Sequence, residues 1–258
     1  MSSADSSSRL SIDVNADVGE SFGSYNMGND EAVLPLVTSA NIACGFHAGD
    51  PSVMLRTCEL ARDCGVRIGA HPGYRDLSGF GRRAMHYTPA ELEAEVIYQI
   101  GALQAAAKAV GSRVCYVKPH GALYHAISQD KSAALAVFSA MLKVDPHLKL
   151  MAQAQLPVLE WARAAGLGTI AEAFADRAYN PDGSLVSRSA PNAVHHDPDV
   201  AAAQAIAFAT GSGFSAVDGS TLHIQADSLC VHGDNPQALA LVAHVRAALT
   251  DAGVAVGA

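Results

Sequence analysis

Short apolar runs that alternate with helix-like segments are the feature that most limits how this chain can fold. The helix-like segments begin at cap signals, such as Asp50 before Pro51, and Thr88 before Pro89 with Glu91 three positions on. The runs are typical of buried parallel strands: SIDVNA, SANIAC, VRIGAH, RVCYVK, LKLMAQ, GTIAEAF and TLHIQA. This alternation predicts an α/β fold. It is compatible with an open doubly wound sheet, but we favour a closed (β/α) barrel.

Acidic and histidine residues follow these runs in a regular way. Each of five such residues lies at or just beyond the end of a different run: Asp17, His47, His71, His120 and Glu172. In a (β/α) barrel the carboxyl ends of all strands meet at one rim, so side chains far apart in sequence converge on one cavity. We therefore expect these five residues to form a site.

Length and composition fit one barrel domain. The chain has 258 residues, half of them hydrophobic, which is enough for a single barrel of about 250 residues. We predict a disordered, serine-rich tail over residues 1–10 and one domain over residues 11–258. No segment of the sequence resembles a signal peptide or a membrane span.

Charge and cysteine content exclude several classes of protein. The formal net charge of -8 argues against nucleic-acid or anionic-membrane partners, because both are bound through clustered lysine and arginine. The five cysteines form neither a CxxC pair nor an even disulfide framework, so we expect reduced thiols in a cytoplasmic protein.

Familiar cofactor and catalytic motifs are missing. The sequence contains no GxxxxGK[ST] phosphate loop and no HExxH zinc motif. Gly211, Gly213 and Ala216 spell GxGxxA, but they follow a predicted helix, whereas the dinucleotide fingerprint follows a strand. We therefore predict neither NAD nor haem as a cofactor.

The first run carries three polar residues in alternation. Asp13, Asn15 and Asp17 would point to one side of a strand, so in a barrel Asp17 would be the acid nearest the cavity. An inward carboxylate is costly unless it is used or paired, which favours a catalytic role for Asp17. Glu20 lies in the loop that follows.

The next two runs end in histidines. In NIACGFHAGDP, Asn41 and His47 flank a strand end rich in small residues, and His47 is suited to bind a metal or to polarise a carbonyl. A metal site of Asp17, His47 and His71 is one prediction, and hydrogen-bonded loop histidines are the alternative.

A glycine-rich loop follows His71 in GAHPGYRDLSGFGRR. Such a loop can close over a site. Its arginines, Arg75, Arg82 and Arg83, either clamp a carboxylate or phosphate or lie in solvent.

The segment VKPHGALYH has the densest chemistry. Lys118 and His120 share one side of the strand, with Tyr124 and His125 in the next turn. Burial and a neighbouring cation would each lower the pKa of Lys118 or His120, which suits acid–base catalysis. Later strand ends add Glu172, Arg177, Asp227 and His232 as candidates.

Several strings together carry a resemblance to a known family. NADVGESFG, SANIACGFHAGDP, GAHPGY, GFGRR, VKPHGALY, FADRAY and CVHGD resemble blocks of the LamB/YcsF family, from about Ile12 to the last helix. The family opening is closer to DLNCDLGESFG, so Ala16 replaces a cysteine and that position is not a required thiol.

The resemblance implies both a fold and an activity. The implied fold is an irregular seven-stranded (β/α) barrel similar to glycoside hydrolase and deacetylase barrels. The implied activity is that of the first of three components, the A subunit, of an ATP-dependent 5-oxoprolinase. That enzyme converts 5-oxo-L-proline to L-glutamate with the help of its B and C subunits. A divalent cation such as Mg²⁺ is compatible with ATP use.

On this basis we assign roles as a hypothesis. Asp17 would activate water, Lys118 and His120 would stabilise the oxyanion or protonate the ring nitrogen, and Glu172 would orient Lys118. Arg177 or a loop arginine would hold the substrate carboxylate. The predicted substrate-binding residues are Glu20, Asn41, Arg82, Arg177, Asp227 and His232.

Two other functions remain open. A metal-dependent deacetylase of small carbohydrates would place Asp17, His47 and either His71 or His120 around an ion. A non-catalytic protein would only bind the substrate and deliver it to its partners.

Overall fold

Strands and helices alternate along the chain in the computed structural model, which describes residues 10–187, 190–231 and 236–258. The strands are β1 Ser11–Val18, β2 Ser39–Ala43, β3 Arg67–His71, β4 Val114–Val117, β5 Lys149–Gln153, β6 Gly168–Phe174, β7 Gly213–Ser215, β8 Thr221–His223, β9 Ser228–Cys230 and β10 Ala255–Val256. The helices are α1 Asp30–Val33, α2 Pro51–Asp63, α3 Pro89–Ala109, α4 Gly121–Gln129, α5 Lys131–Val144, α6 Pro157–Ala164, α7 Pro198–Thr210 and α8 Pro236–Asp251.

Seven parallel strands close into a barrel. Strands β1 to β6 pair in sequence order, β6 pairs with β9, and β9 pairs back with β1. Strand β10 adds to the amino-terminal end of β1. The predicted (β/α) barrel is confirmed, and the alternative of an open doubly wound sheet is excluded by the β1–β9 pairing.

The seventh barrel strand differs from the sequence prediction. TLHIQA was predicted as a barrel strand, but Thr221–His223 forms β8, which pairs antiparallel with β7 in a separate two-stranded ribbon. The barrel strand is Ser228–Cys230, which is fully buried, whereas β8 is largely exposed. TLHIQA alternates polar and apolar residues, which is typical of a strand, but this strand belongs to the exposed ribbon. The barrel strand Ser228–Cys230 has only three residues, too few to give a recognisable pattern.

Helices α2 and α3 begin, and helix α7 ends, at the residues that the signals in the sequence predicted. The side chain of Asp50 accepts from the second and third residues of α2, and Thr88 and Glu91 form a complete capping box at the start of α3. Gly211 ends α7 with a positive φ of 72°, as expected for a helix stop and not for a dinucleotide loop. The apolar stripe of α3 is buried against the barrel, at Leu92, Val96, Ile100, Leu103 and Ala107.

The barrel interior is filled by layers of polar side chains. Asp13 accepts hydrogen bonds from Ser39 and Ser228 at the amino-terminal end. One layer higher, Asn15 accepts from Asn41 at 2.7 Å. The inward alternation predicted for β1 therefore holds, and it brings the next residue on that face, Asp17, to the carboxyl-terminal rim.

The predicted tail, residues 1–10, lies outside the described residues except for Leu10. Among the helices described, none is long and apolar enough to cross a membrane.

Candidate functional site

A cavity of about 440 Å³ opens at the carboxyl-terminal rim of the barrel. This volume is in the usual range for small-molecule sites, roughly 300–1,000 Å³. Charged and polar groups come from strand ends and the loops after them: Asp17, Glu20, His71, Arg82, Lys118, His120 and Arg177. Phe80, Phe174 and Leu185 add apolar wall. The convergence expected from sequence is therefore present for most of the candidates.

Lys118 is the central charge of the cavity floor. Its Nζ lies 2.7 Å from Glu172 Oε1 and 3.1 Å from Asp17 Oδ1. It also donates to Asn15 Oδ1 at 3.2 Å. Tyr124 donates its hydroxyl to the other oxygen of Glu172 at 2.7 Å. The two partners of Glu172, Lys118 and Tyr124, are both buried, so Glu172 holds the Lys118 ammonium in a fixed position at the cavity floor.

These contacts correct the expectation for the protonation of Lys118. Burial alone would lower the pKa of Lys118, but Asp17, Cys230 and Glu172 outweigh burial and raise it well above the usual value. Burial would raise the pKa of Asp17, yet His71 and Lys118 hold it well below its ordinary range. The pair is therefore an ammonium and a carboxylate at neutral pH.

Three histidines lie beside this pair. His71 Nδ1 lies 2.6 Å from the Lys118 carbonyl oxygen, and His120 Nε2 lies 2.8 Å from the Phe80 carbonyl oxygen. The other nitrogens of these two rings face each other at 3.0 Å. The His47 ring stacks on His120 with centroids 3.8 Å apart.

Burial makes His120 a weak base, since it lowers the pKa of the ring to about 3, with a further contribution from His71. Both nitrogens of His120 are directed at protein groups, so the geometry does not favour its predicted role as proton donor to the substrate. Lys118 is the better candidate.

Glu20 lies above the histidines. Its Oε1 is 3.7 Å from both His47 Nε2 and His120 Nδ1. Burial, followed by the Asp17 carboxylate, raises the pKa of Glu20 to about 7. Glu20, His47, His71 and His120 have potential ligand atoms within 4.8 Å of one another, and we call these four residues the histidine cluster.

The loop arginines separate into different environments. Arg83 is paired with Asp76, and Arg75 with Glu95 at 2.7 Å. Arg82 lines the cavity, with its guanidinium 5.0 Å from the centre of the Phe80 ring. Arg177 also lines the cavity, but it is buried and donates to the carbonyl oxygens of Ala193 and Val186.

Three other candidates lie away from the cavity or outside the described residues. Asn41 is buried below it and donates to Asp17 Oδ1 at 2.8 Å, so it supports the acid and does not touch the cavity. Asp227 precedes β9, at the opposite end of the barrel, and its carboxylate accepts from the Ala171 amide. A substrate-binding role for Asp227 is therefore contradicted by its position. His232 lies outside the described residues.

Sequence reasoning missed Cys230 as part of the cavity. Its Sγ lies 3.2 Å from Lys118 Nζ, and burial raises the pKa of the thiol well above the usual value. The only sequence signal was its place in CVHGD, two residues before the predicted site residue His232. Because β9 was not predicted as a strand, Cys230 was not recognised as a residue at a strand end.

Sequence comparisons find relatives that match nearly the whole chain. A relative from Corynebacterium efficiens, named as the A subunit of 5-oxoprolinase, is 61% identical over 90% of this chain and 91% of its own length. A protein of the same name from Nocardia farcinica is 55% identical, covering 96% of this chain and 98% of its own.

Solved structures show the same fold. The lactam utilization protein from Thermus thermophilus superposes with a TM-score of 0.92 at 45% identity, covering 96% of this chain and all of that one. A putative cellobiose-phosphate cleavage protein from Enterococcus faecalis has a TM-score of 0.57 at 11% identity over 97% of both chains, which shows a shared fold alone. The model of the LamB/YcsF family matches residues 12–258. The chain therefore belongs to the LamB/YcsF family.

Proposed function

We propose that this chain is the component of an ATP-dependent 5-oxoprolinase that opens the ring of 5-oxo-L-proline to give L-glutamate. The observation that carries the proposal is the Asp17–Lys118–Glu172 arrangement at the floor of a small cavity. The names of relatives more than half identical to the chain support the same substrate class. The B and C subunits of 5-oxoprolinase are the proposed partners.

In this proposal Lys118 stabilises the negative charge that develops on the ring carbonyl oxygen. A buried ammonium that is already positioned needs little reorganisation during the reaction. Glu172 holds Lys118 in place and is in turn held by Tyr124. Lys118 is also the proposed source of the proton for the ring nitrogen as the bond to carbon breaks.

Asp17 is the proposed base for the attacking water. The side chain of Asp17 is 29% exposed, whereas that of Glu172 is fully buried. Of the two carboxylates that contact Lys118, Asp17 is therefore the one that water can reach. When the substrate oxygen takes over a hydrogen bond from Lys118, Asp17 loses part of the stabilisation of its charged form. Its pKa then rises toward the range of an effective base.

Arg82 is the proposed partner of the substrate carboxylate. It lines the cavity and is exposed, whereas the guanidinium of Arg177 is committed to two backbone carbonyls. A guanidinium binds a carboxylate through two parallel hydrogen bonds. Phe174 and Leu185 would pack against the ring methylenes.

ATP supplies the free energy for opening a resonance-stabilised ring that closes again readily. The described residues contain no phosphate-binding loop of the Walker type, and the sequence has no such motif. The proposal therefore assigns no ATP-binding residue to this chain and leaves that contact to the assembled complex.

The test is glutamate formation from 5-oxoproline and ATP by the three co-expressed proteins. We expect turnover with this chain and none when it is omitted. Adding back the Lys118→Met variant should not restore turnover, while the exposed control Lys108→Met should. Undiminished turnover without this chain would overturn the proposal, and 5-oxoproline binding by the isolated chain without an effect of Lys118→Met on turnover would favour a delivery role.

The histidine cluster favours a second candidate, a metal-dependent deacetylase. Acetate release from acetylated oligosaccharides by the isolated chain, abolished by Asp17→Asn, would support it. Absence of acetate release under conditions that support lactam opening would exclude it.

A further inference from the structure

Several buried polar atoms of the histidine cluster have no hydrogen-bond partner among the described residues. They are Glu20 Oε1 and both ring nitrogens of His47. His47 is fully buried, so its ring nitrogens are shielded from bulk solvent. Leaving a buried polar group unsatisfied costs roughly 1–3 kcal/mol, and two of these atoms, Glu20 Oε1 and His47 Nε2, lie 3.7 Å apart, which indicates a missing ligand beside them.

The tautomers of two histidines strengthen this indication. A carbonyl oxygen only accepts hydrogen bonds, so His71 carries its proton on Nδ1 and His120 carries its proton on Nε2. In the neutral forms of these tautomers, the lone pairs of His71 Nε2 and His120 Nδ1 point at each other across 3.0 Å. Two lone pairs at this distance repel unless a positive charge lies beside both.

The surrounding distances suit a metal ion. Ligand atoms at about 2.1 Å from a tetrahedral ion lie roughly 3.4 Å from one another. Glu20 Oε1 lies 3.7 Å from His120 Nδ1, and Asp17 Oδ2 lies 3.3 Å from His71 Nε2. Backbone carbonyls orient two of the imidazoles through their second nitrogens, as is usual for histidine ligands of metals.

We propose that Glu20, His47, His71 and His120 bind one divalent transition-metal ion at the rim of the barrel. Three imidazoles and one carboxylate suit Zn²⁺ and its first-row neighbours, whereas Mg²⁺ prefers an all-oxygen octahedron. This set differs from the predicted one, in which Asp17 and His47 were joined by either His71 or His120: Glu20 takes the place of Asp17, and both of those histidines take part. When bound, such an ion would polarise a carbonyl oxygen or lower the pKa of a water molecule.

His47 has to move to join the other ligands. Its ring lies parallel to that of His120, with an angle of 5° between the planes, so the two in-plane lone pairs do not meet at one point. His47 Nε2 already lies 3.7 Å from Glu20 Oε1, and the proposed site needs the ring to rotate about its side-chain bonds until the Nε2 lone pair points at the shared ion. We expect metal binding to change the His47 ring signals in NMR spectra.

Two glycines shape the wall around His47. A Cβ at Gly73 would lie 2.6 Å from His47 Nδ1, and a Cβ at Gly81 would lie 2.7 Å from His47 Cβ. Side chains at these positions would displace the ring. The glycine-rich loop predicted to cover a site therefore packs directly on the histidine cluster.

The site does not depend on the proposed reaction, so its test uses metal binding by the tag-free, full-length chain. Metal content is measured by mass spectrometry after purification without chelators. The metal-free chain is then titrated with Co²⁺, and its visible d–d absorption is recorded. We expect about one ion per chain and a spectrum of nitrogen and oxygen ligation.

Variants locate the ion. His71→Gln and His120→Gln should each weaken Co²⁺ binding at least about 100-fold, because even outer-shell partners of metal ligands contribute 10- to 100-fold. The exposed control His147→Gln should bind like the wild type. Circular dichroism shows whether each variant is folded. If a glutamine variant does not fold, Co²⁺ binding by Glu20→Gln is compared instead with the spectrum of the wild-type chain.

The possible outcomes separate the explanations. A wild-type chain without stoichiometric metal and without a Co²⁺ spectrum would show that His71 and His120 share only a proton. Metal that persists unchanged in both folded glutamine variants would place it elsewhere. Either result overturns the site, while loss of glutamate formation with normal metal binding would count only against the proposed function.

Discussion

The Nζ of Lys118 lies 2.7 Å from Glu172 Oε1, and both side chains are buried at the floor of the cavity. Glu172 comes from β6 and Lys118 follows β4, so the two side chains meet across β5, the one barrel strand between them. The relationship matters because it places a fixed ammonium beside the partly exposed carboxylate of Asp17.

Removing the charge of Glu172 should affect stability and turnover together. Breaking a buried ion pair from one side costs about 3–5 kcal/mol, because the other charge stays buried. We expect Glu172→Gln to lower the free energy of unfolding in urea by about this amount, and Glu160→Gln, exposed on α6, to leave it unchanged. The double variant Lys118→Met with Glu172→Leu should recover much of the stability without any turnover. Recovery of turnover would remove Lys118 from the mechanism.

Loss of the Asp17 carboxylate should affect turnover more than folding. We expect Asp17→Asn to lower kcat for glutamate formation by about 10²- to 10⁴-fold, the usual contribution of a general base. Because the carboxylate is paired with Lys118, we also expect a lower unfolding midpoint, so kcat is compared at a temperature at which circular dichroism shows the variant to be folded. Asp63→Asn on the outer surface of α2 is the matched control, with normal kcat. A kcat near that of the wild type in Asp17→Asn would assign the base to another group.

Gly69 should tolerate no side chain. A Cβ there would overlap the ring of Tyr116, which is fully buried and donates its hydroxyl to Asn41 Oδ1 at 2.6 Å. Overpacking of this kind costs about 1–3 kcal/mol, so Gly69→Ala should lower the unfolding midpoint. Gly101→Ala, on the exposed face of α3 with no atom nearby, should raise stability by up to about 1 kcal/mol. Equal effects of the two changes would contradict this packing.

Thiol reactivity should separate the cysteines by burial. Burial raises the pKa of both Cys44 and Cys58 to about 12. Because the thiolate is the reactive form, its fraction falls tenfold for each pH unit below the pKa and is about 10⁻⁴ at pH 8 for these two residues. We expect a disulfide reagent at pH 8 to label Cys64 and Cys115 but not Cys44, Cys58 or Cys230, until the protein is unfolded. Mass spectrometry of labelled peptides provides the check, and rapid labelling of Cys44 in the folded chain would contradict the burial.

Sequence patterns predicted the barrel and much of the site because they depend on local rules. Alternation along β1 placed Asp13, Asn15 and Asp17 on the inner face, and the structure confirms this arrangement. The capping signals at Thr88 and Asp50 located two helices for the same reason. Asp227 was misplaced because TLHIQA was taken as a barrel strand, which shifted the predicted strand end to Asp227.

The sequence by itself determined the order of strands and helices, the inward face of β1 and the family. The tertiary structure decided which strand closes the barrel, that Lys118 keeps its charge, and that Glu20 joins the three histidines. Strand alternation and helix caps act between residues a few positions apart. Charge states and ligand distances depend on groups from different strands, and only barrel closure brings those groups together.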